Sequence, residues 1–129
     1  GLAAAQAAVA AGMVTLFGSP NVLRGRSASG NVRALDVILA GACTGLCADY
    51  HPPSLLAAVL RLPEISPVSL PDAVRLASSG PARSAGLADR GEIAVGLRAD
   101  LLLVRQGRVE TALVAGRKVL DTVDRLACV

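Results

Sequence analysis

At 129 residues the chain is long enough for one ordinary domain and too short for two. Hydrophobic residues make up 53% and charged residues 18%, which excludes intrinsic disorder. Aromatics are only 2%, so the core must be built from Ala, Leu and Val, a composition suited to helices packed closely on buried strands. The net charge of +3 is a mild bias, and without clustered basic residues and stacking aromatics it gives no case for nucleic-acid binding.

The chain holds three cysteines, Cys43, Cys47 and Cys128, an odd count that argues against a disulfide framework. The stretch from residue 1 to residue 18 is nearly all apolar but carries no positive segment ahead of it, unlike a secretory signal. No run has the length and hydrophobicity of a membrane span, and the expected location is cytoplasmic. Position 1 is Gly, and residues 2 to 11 look helical from the first turn with no capping residue before them. The chain therefore reads as the carboxyl-terminal piece of a longer protein.

The alanine-rich start predicts a helix that Gly12 stops. The apolar run Met13-Val14-Thr15-Leu16-Phe17 predicts a buried, parallel strand. Gly18-Ser19-Pro20-Asn21 has turn composition, and a loop continues to Gly30. Asn31 can cap a helix from Val32 to about Ala40, ended by Gly41. A short strand from Thr44 to Ala48 ends on Asp49-Tyr50-His51, and Ser54 to Leu62 is again helical. This order is the rhythm of parallel β/α units, whose functional residues sit at strand carboxyl ends. The loops after Phe17 and Ala48 should then share one site. Pro63 to Pro71 reads as a linker, with a helix start at Ser69-Leu70-Pro71-Asp72 and a helix over Asp72 to Ser79. Gly80-Pro81 then interrupts it, and one or two further turns fit residues 82 to 85. From residue 89 the character changes to a meander, with strands at Leu101 to Val104, Val109 to Val114 and Lys118 to Leu120. Three such strands cannot bury both faces and need partner strands.

Asp49 is the leading candidate for chemistry, because a carboxylate at a strand's carboxyl end can bind a metal or accept a proton from water. Capping the next helix or holding the loop backbone are the plainer alternatives. His51 is the only histidine, so one His and one Asp cannot complete a hydrolytic metal site within this chain. The segment Arg24 to Asn31 joins two arginines, two serines, two glycines and an amide ahead of a helix, a set suited to phosphate oxygens or to an ordinary solvated connection. It lacks the P-loop pattern. Cys43 and Cys47 do not form a Cys-x-x-Cys pair and read as small buried apolar side chains.

The blocks Phe17-Gly18-Ser19-Pro20-Asn21-Val22-Leu23-Arg24-Gly25, Ser27-Ala28-Ser29-Gly30-Asn31-Val32, Ala48-Asp49-Tyr50 and Pro53-Ser54-Leu55-Leu56 are more specific. With Asp89-Arg90-Gly91-Glu92-Ile93 and Gly96-Leu97-Arg98-Ala99-Asp100-Leu101, they resemble the carboxyl-terminal third of the alpha-D-ribose 1-methylphosphonate 5-triphosphate diphosphatases. These are amidohydrolases of the carbon-phosphorus lyase pathway. The resemblance implies an α/β fold in which residues 1–88 are the end of a metal-dependent (β/α) barrel, strands seven and eight with their helices. Residues 89–129 would be part of a small β-sandwich and its tail. It further implies that Asp49 binds a divalent metal, zinc or manganese, and takes the proton from the water that attacks a phosphorus, so that diphosphate leaves. Asn21, Arg24, Ser27, Ser29 and Asn31 would meet the phosphates of the ribose phosphonate substrate. Nucleic acid and membrane are not expected partners, and a homo-oligomer is allowed. Two departures stand out. Position 28 is Ala where the family commonly has His, and the remaining metal ligands are absent because a full barrel takes about 200 residues or more. The competing expectations are a non-catalytic or truncated interaction module, or an amidohydrolase acting on an amide or ring bond.

Overall fold

A computed structural model of the protein describes residues 1–27 and 30–122. It divides into two compact units, Gly1–Leu87 and Ala88–Val129. Among the described residues no helix is long and apolar enough to cross a membrane.

The first unit runs α1 (Leu2–Ala10), β1 (Leu16–Gly18), α2 (Ser19–Arg24), α3 (Ala34–Leu39), β2 (Gly45–Cys47), α4 (Ser54–Ile65), α5 (Leu70–Ala77) and α6 (Ser79–Ser84). β1 and β2 pair in parallel with Leu16 opposite Gly45, Phe17 opposite Leu46 and Gly18 opposite Cys47. The helical crossover between them is what a parallel pair requires. The core gathers Val22, Val37, Leu46, Val59 and Leu62 with Ala5, Ala34, Ala42, Ala58 and Ala73, and Phe17 packs against it from its edge. As the composition implied, small side chains let backbones approach closely. A Cβ on Gly80 would stand 2.1 Å from the Thr44 carbonyl oxygen, and one on Gly45 would stand 2.8 Å from Leu16 Cδ2 and 3.1 Å from the Pro81 ring. Only glycines allow α6 to sit this close to β2.

Several elements differ from the sequence reading: β2 is Gly45–Cys47, α6 begins at Ser79 and takes in Gly80-Pro81, and four others differ for a local reason. β1 is three residues rather than five, because the backbone ahead of it bonds to threonine hydroxyls. Thr15 N donates to Thr44 Oγ1 at 2.8 Å, and Thr15 Oγ1 donates to the Ala42 carbonyl at 2.7 Å. The expected turn at 18–21 is the start of α2, since proline is tolerated in a first helical turn and Gly25 closes the helix in the left-handed region at φ 66°. Asn31 does not cap α3. That helix begins later, at Ala34, whose N–H donates instead to Asn21 Oδ1 at 3.0 Å. Pro63 lies inside the last turn of α4, so the one bond it cannot donate is lost close to the helix end, where the Ser66 hydroxyl bonds back to the Leu62 carbonyl at 2.6 Å. The Ser69 helix start is present as read, its hydroxyl accepting from Asp72 N at 3.2 Å.

The second unit is the antiparallel meander β3 (Leu101–Arg105), β4 (Arg108–Val114) and β5 (Arg117–Asp121), in sequential order. Leu101 pairs with Leu113, and Val114 with Arg117. Both connections are two-residue turns with positive φ at each position, Gln106-Gly107 at 49° and 76° and Ala115-Gly116 at 50° and 76°. This mirror-image turn matches the twist of the strands it joins. Ala115 is an unfavoured residue there, and its N–H donates to Asp100 Oδ1 at 2.8 Å. Among its described residues this unit buries no hydrophobic side chain fully.

Candidate functional site

The parallel register brings the carboxyl ends of β1 and β2 side by side, so the segments that follow them are neighbours. They are fastened underneath by a buried pair of hydroxyls, Ser19 Oγ and Ser54 Oγ, 2.6 Å apart. Ser54 Oγ also lies 2.6 Å from the His51 carbonyl, which closes the turn after β2.

Asp49 stands at the head of that turn. Its backbone takes φ 56°, a left-handed conformation that short polar side chains tolerate and that recurs where geometry is dictated by function. The residue is exposed, and its carboxylate lies over the end of β1. A Cβ on Gly18 would be 3.7 Å from Asp49 Oδ2, an ordinary contact distance. The carboxylate thus faces the rim shared by both loops and is not used as a helix cap.

Arg24, in the last turn of α2, is exposed and donates from Nη1 to Tyr50 Oη at 2.7 Å, linking the first loop to the second. Asn21 has a different place from the one expected of a phosphate ligand. Its amide holds the loop, with Nδ2 donating to the Val32 carbonyl at 3.3 Å while Oδ1 accepts from Ala34 N. Ser27 is half-buried and Asn31 exposed, both in the segment between α2 and α3. Ser29 and Ala28 lie outside the described residues, as does Cys128. His51 is exposed, and its N–H donates to the Ala48 carbonyl at 3.1 Å.

The structure therefore joins Arg24 to Tyr50, sets the Asp49 carboxylate beside Gly18 at the end of β1, and bonds the Asn21 amide to the backbone of the segment before α3. Tyr50 was not singled out from sequence. The signal available was a lone tyrosine directly after the leading carboxylate.

Among the described residues no three His, Cys, Asp or Glu side chains converge to hold a metal. Asp49 fits as a single ligand at most, and the described residues supply no set. Cys43 is buried, and burial pushes its thiol up to about 11, so that it stays protonated at neutral pH and is a poor nucleophile. Cys47 is exposed at the end of β2, with Sγ 3.7 Å from the Phe17 carbonyl oxygen.

A cleft of the first unit, about 610 Å³, lies elsewhere. It is lined by Met13, Val14, Cys43 and Thr44, which precede the strands, and by Asp72 and Arg75 of α5. It therefore opens at the amino ends of β1 and β2, away from Asp49, with the Asp72–Arg75 pair at 2.5 Å and Arg83 on its wall.

No family model matches the chain. Over 105 residues it is 43% identical to the alpha-D-ribose 1-methylphosphonate 5-triphosphate diphosphatase of Escherichia coli (strain K12), an alignment that covers 80% of this chain. The aligned part amounts to 28% of that relative's length. The resemblance first read from the loop blocks thus extends through most of the sequence.

Proposed function

We propose that this chain is the part of a metal-dependent hydrolase that closes its active site, and that the whole enzyme cleaves the triphosphate of alpha-D-ribose 1-methylphosphonate 5-triphosphate to release diphosphate. The observation that carries this reading is the 43% identity to a diphosphatase across most of the chain, joined to an exposed carboxylate on the rim of paired parallel strands. In this reading β1 and β2 are the seventh and eighth strands of the barrel, residues 1–88 belong to it, and residues 89–129 are part of a sandwich that needs further strands. The absence of any fully buried apolar side chain among the described residues of the second unit supports such a need.

Asp49 takes the proton from the water that attacks phosphorus. An exposed carboxylate beside an uncrowded strand end can reach both water and a bound phosphate ester. Arg24 faces the same rim and supplies positive charge for the phosphate oxygens. Ser27, Ser29 and Asn31 are the further phosphate contacts in this reading, and Asn21 fixes the shape of the described part of the loop. A divalent metal, zinc or manganese, would draw one ligand from Asp49 and the others from residues outside this chain.

The test uses the full-length protein carrying this sequence, with diphosphate release from the triphosphate substrate as the readout. Asn tolerates the left-handed backbone as well as Asp does, so Asp49→Asn removes the charge and leaves the fold. Turnover should fall by at least ~10²-fold with the melting temperature unchanged. A wild-type protein that releases no diphosphate but cleaves an amide overturns the substrate assignment, and an Asp49→Asn variant of normal turnover overturns the role of Asp49.

A further inference from the structure

We infer that Tyr50 is a positioning residue for polyphosphate: it holds the Arg24 guanidinium at the rim without neutralising it, and adds its own hydroxyl to the same anion subsite. This rests on the reading of Asp49 and Arg24 just given and extends it to a side chain with no assigned role.

The contrast with three other arginines of the first unit carries the inference. Arg33 pairs with Asp36 at 2.6 Å, Arg61 with Glu64 at 2.6 Å and Arg75 with Asp72 at 2.5 Å. Each of these guanidinium groups is matched by a carboxylate and has little attraction left for an incoming anion. Arg24 meets no carboxylate among the described residues. Its partner is a neutral phenol oxygen at 2.7 Å. A neutral acceptor fixes the side chain while leaving its full charge, and a guanidinium has five N–H donors, so one such bond leaves a fork for phosphate.

Tyr50 contributes in a second way. Its oxygen accepts from Arg24, so its own proton points elsewhere, and a hydroxyl that accepts from a cation becomes a stronger donor. The residue is 70% exposed, so that proton is accessible to a ligand. The reach is built into the backbone, because the left-handed turn at Asp49 ends the strand and the next side chain crosses to α2. Carboxylate and cation are thereby set by adjacent residues of one turn. The ligand class is a polyphosphate ester, whose several anionic oxygens can occupy the Arg24 fork and the Tyr50 hydroxyl together.

Tyr50→Phe in the full-length protein keeps the ring and deletes the hydroxyl. Inorganic tripolyphosphate, titrated calorimetrically, should bind about tenfold more weakly than to wild type, as expected for one lost bond to a charged group. With the triphosphate substrate, KM should rise about tenfold while kcat moves less than about twofold. In an Arg24→Ala background, Tyr50→Phe should cause a smaller further loss than in wild type, because its hold on Arg24 is already gone and only its own bond to the anion remains to be lost. Unchanged tripolyphosphate binding by Tyr50→Phe, full additivity with Arg24→Ala, or no tripolyphosphate binding by the wild type would each overturn the inference. A wild type that binds tripolyphosphate through Tyr50 yet releases no diphosphate keeps it, and overturns the proposed reaction instead.

Discussion

The two units of this chain are held together by different means. In Gly1–Leu87, helices press on a short parallel pair, and side chains such as Leu46 at 1% exposure and Leu62 at 0% are sealed from water. In Ala88–Val129 the order comes from strand ladders, two tight turns and ion pairs among Asp89, Arg90, Arg98 and Asp100, while Leu102 is 60% exposed and Val119 62%. Surface ion pairs of this kind each contribute little. The contrast shows where a nearly ring-free composition succeeds: small side chains make a core only when a second layer comes within backbone distance.

That contrast can be attacked at its tightest point. Gly80→Ala places a methyl carbon against the Thr44 carbonyl, with neither backbone free to yield. We expect a loss of about 3 kcal/mol, the upper range for overpacking, read from urea unfolding. A much smaller loss would mean that the closeness of α6 and β2 is not what holds the first unit.

A matched pair of truncations sharpens the comparison. Leu62→Ala should cost about 2–5 kcal/mol, as for other sealed leucines. Leu102→Ala should stay within about 0.5 kcal/mol in this chain, as for surface positions. The same Leu102→Ala variant made in the full-length protein should cost more if further strands cover the meander, and equal costs in the two contexts would reject that cover.

The smallest effect is expected at the start of α5. Ser69→Ala removes the bond to Asp72 N and should cost about 1 kcal/mol at neutral pH. The Ser69 hydroxyl, and then Arg75, hold the Asp72 carboxyl below the usual carboxylate range. A carboxyl depressed in the folded state stabilises above its unfolded value, near pH 4, and loses that contribution as pH falls through the folded value. The gap between wild type and Ser69→Ala should therefore narrow below about pH 4. Melting curves at pH 7 and pH 3 would show whether it does.

The order of helices and strands was largely legible, because apolar runs, glycine stops and the Ser69 cap act locally. The ends of β1 were not, since the hydroxyls of Thr15 and Thr44 displace a ladder only once the two strands meet. The phosphate contact of Asn21 was implied by the resemblance alone, and the fold adds that its amide bonds to Val32 and Ala34, which are 11 and 13 residues away in sequence. Asp49 could be singled out by position at a strand end. Tyr50 could not, because its partner is 26 residues away in sequence.

The buried serines carry one last consequence. A hydroxyl has a single proton, and a carbonyl can only accept. With the His51 carbonyl 2.6 Å away, the proton of Ser54 is committed to it, so Ser19 must be the giver toward Ser54. Polarity therefore runs one way, from the foot of the arginine-bearing helix into the hairpin-like bend that carries the carboxylate. The second loop is the anchor, and the first takes its bearing from it.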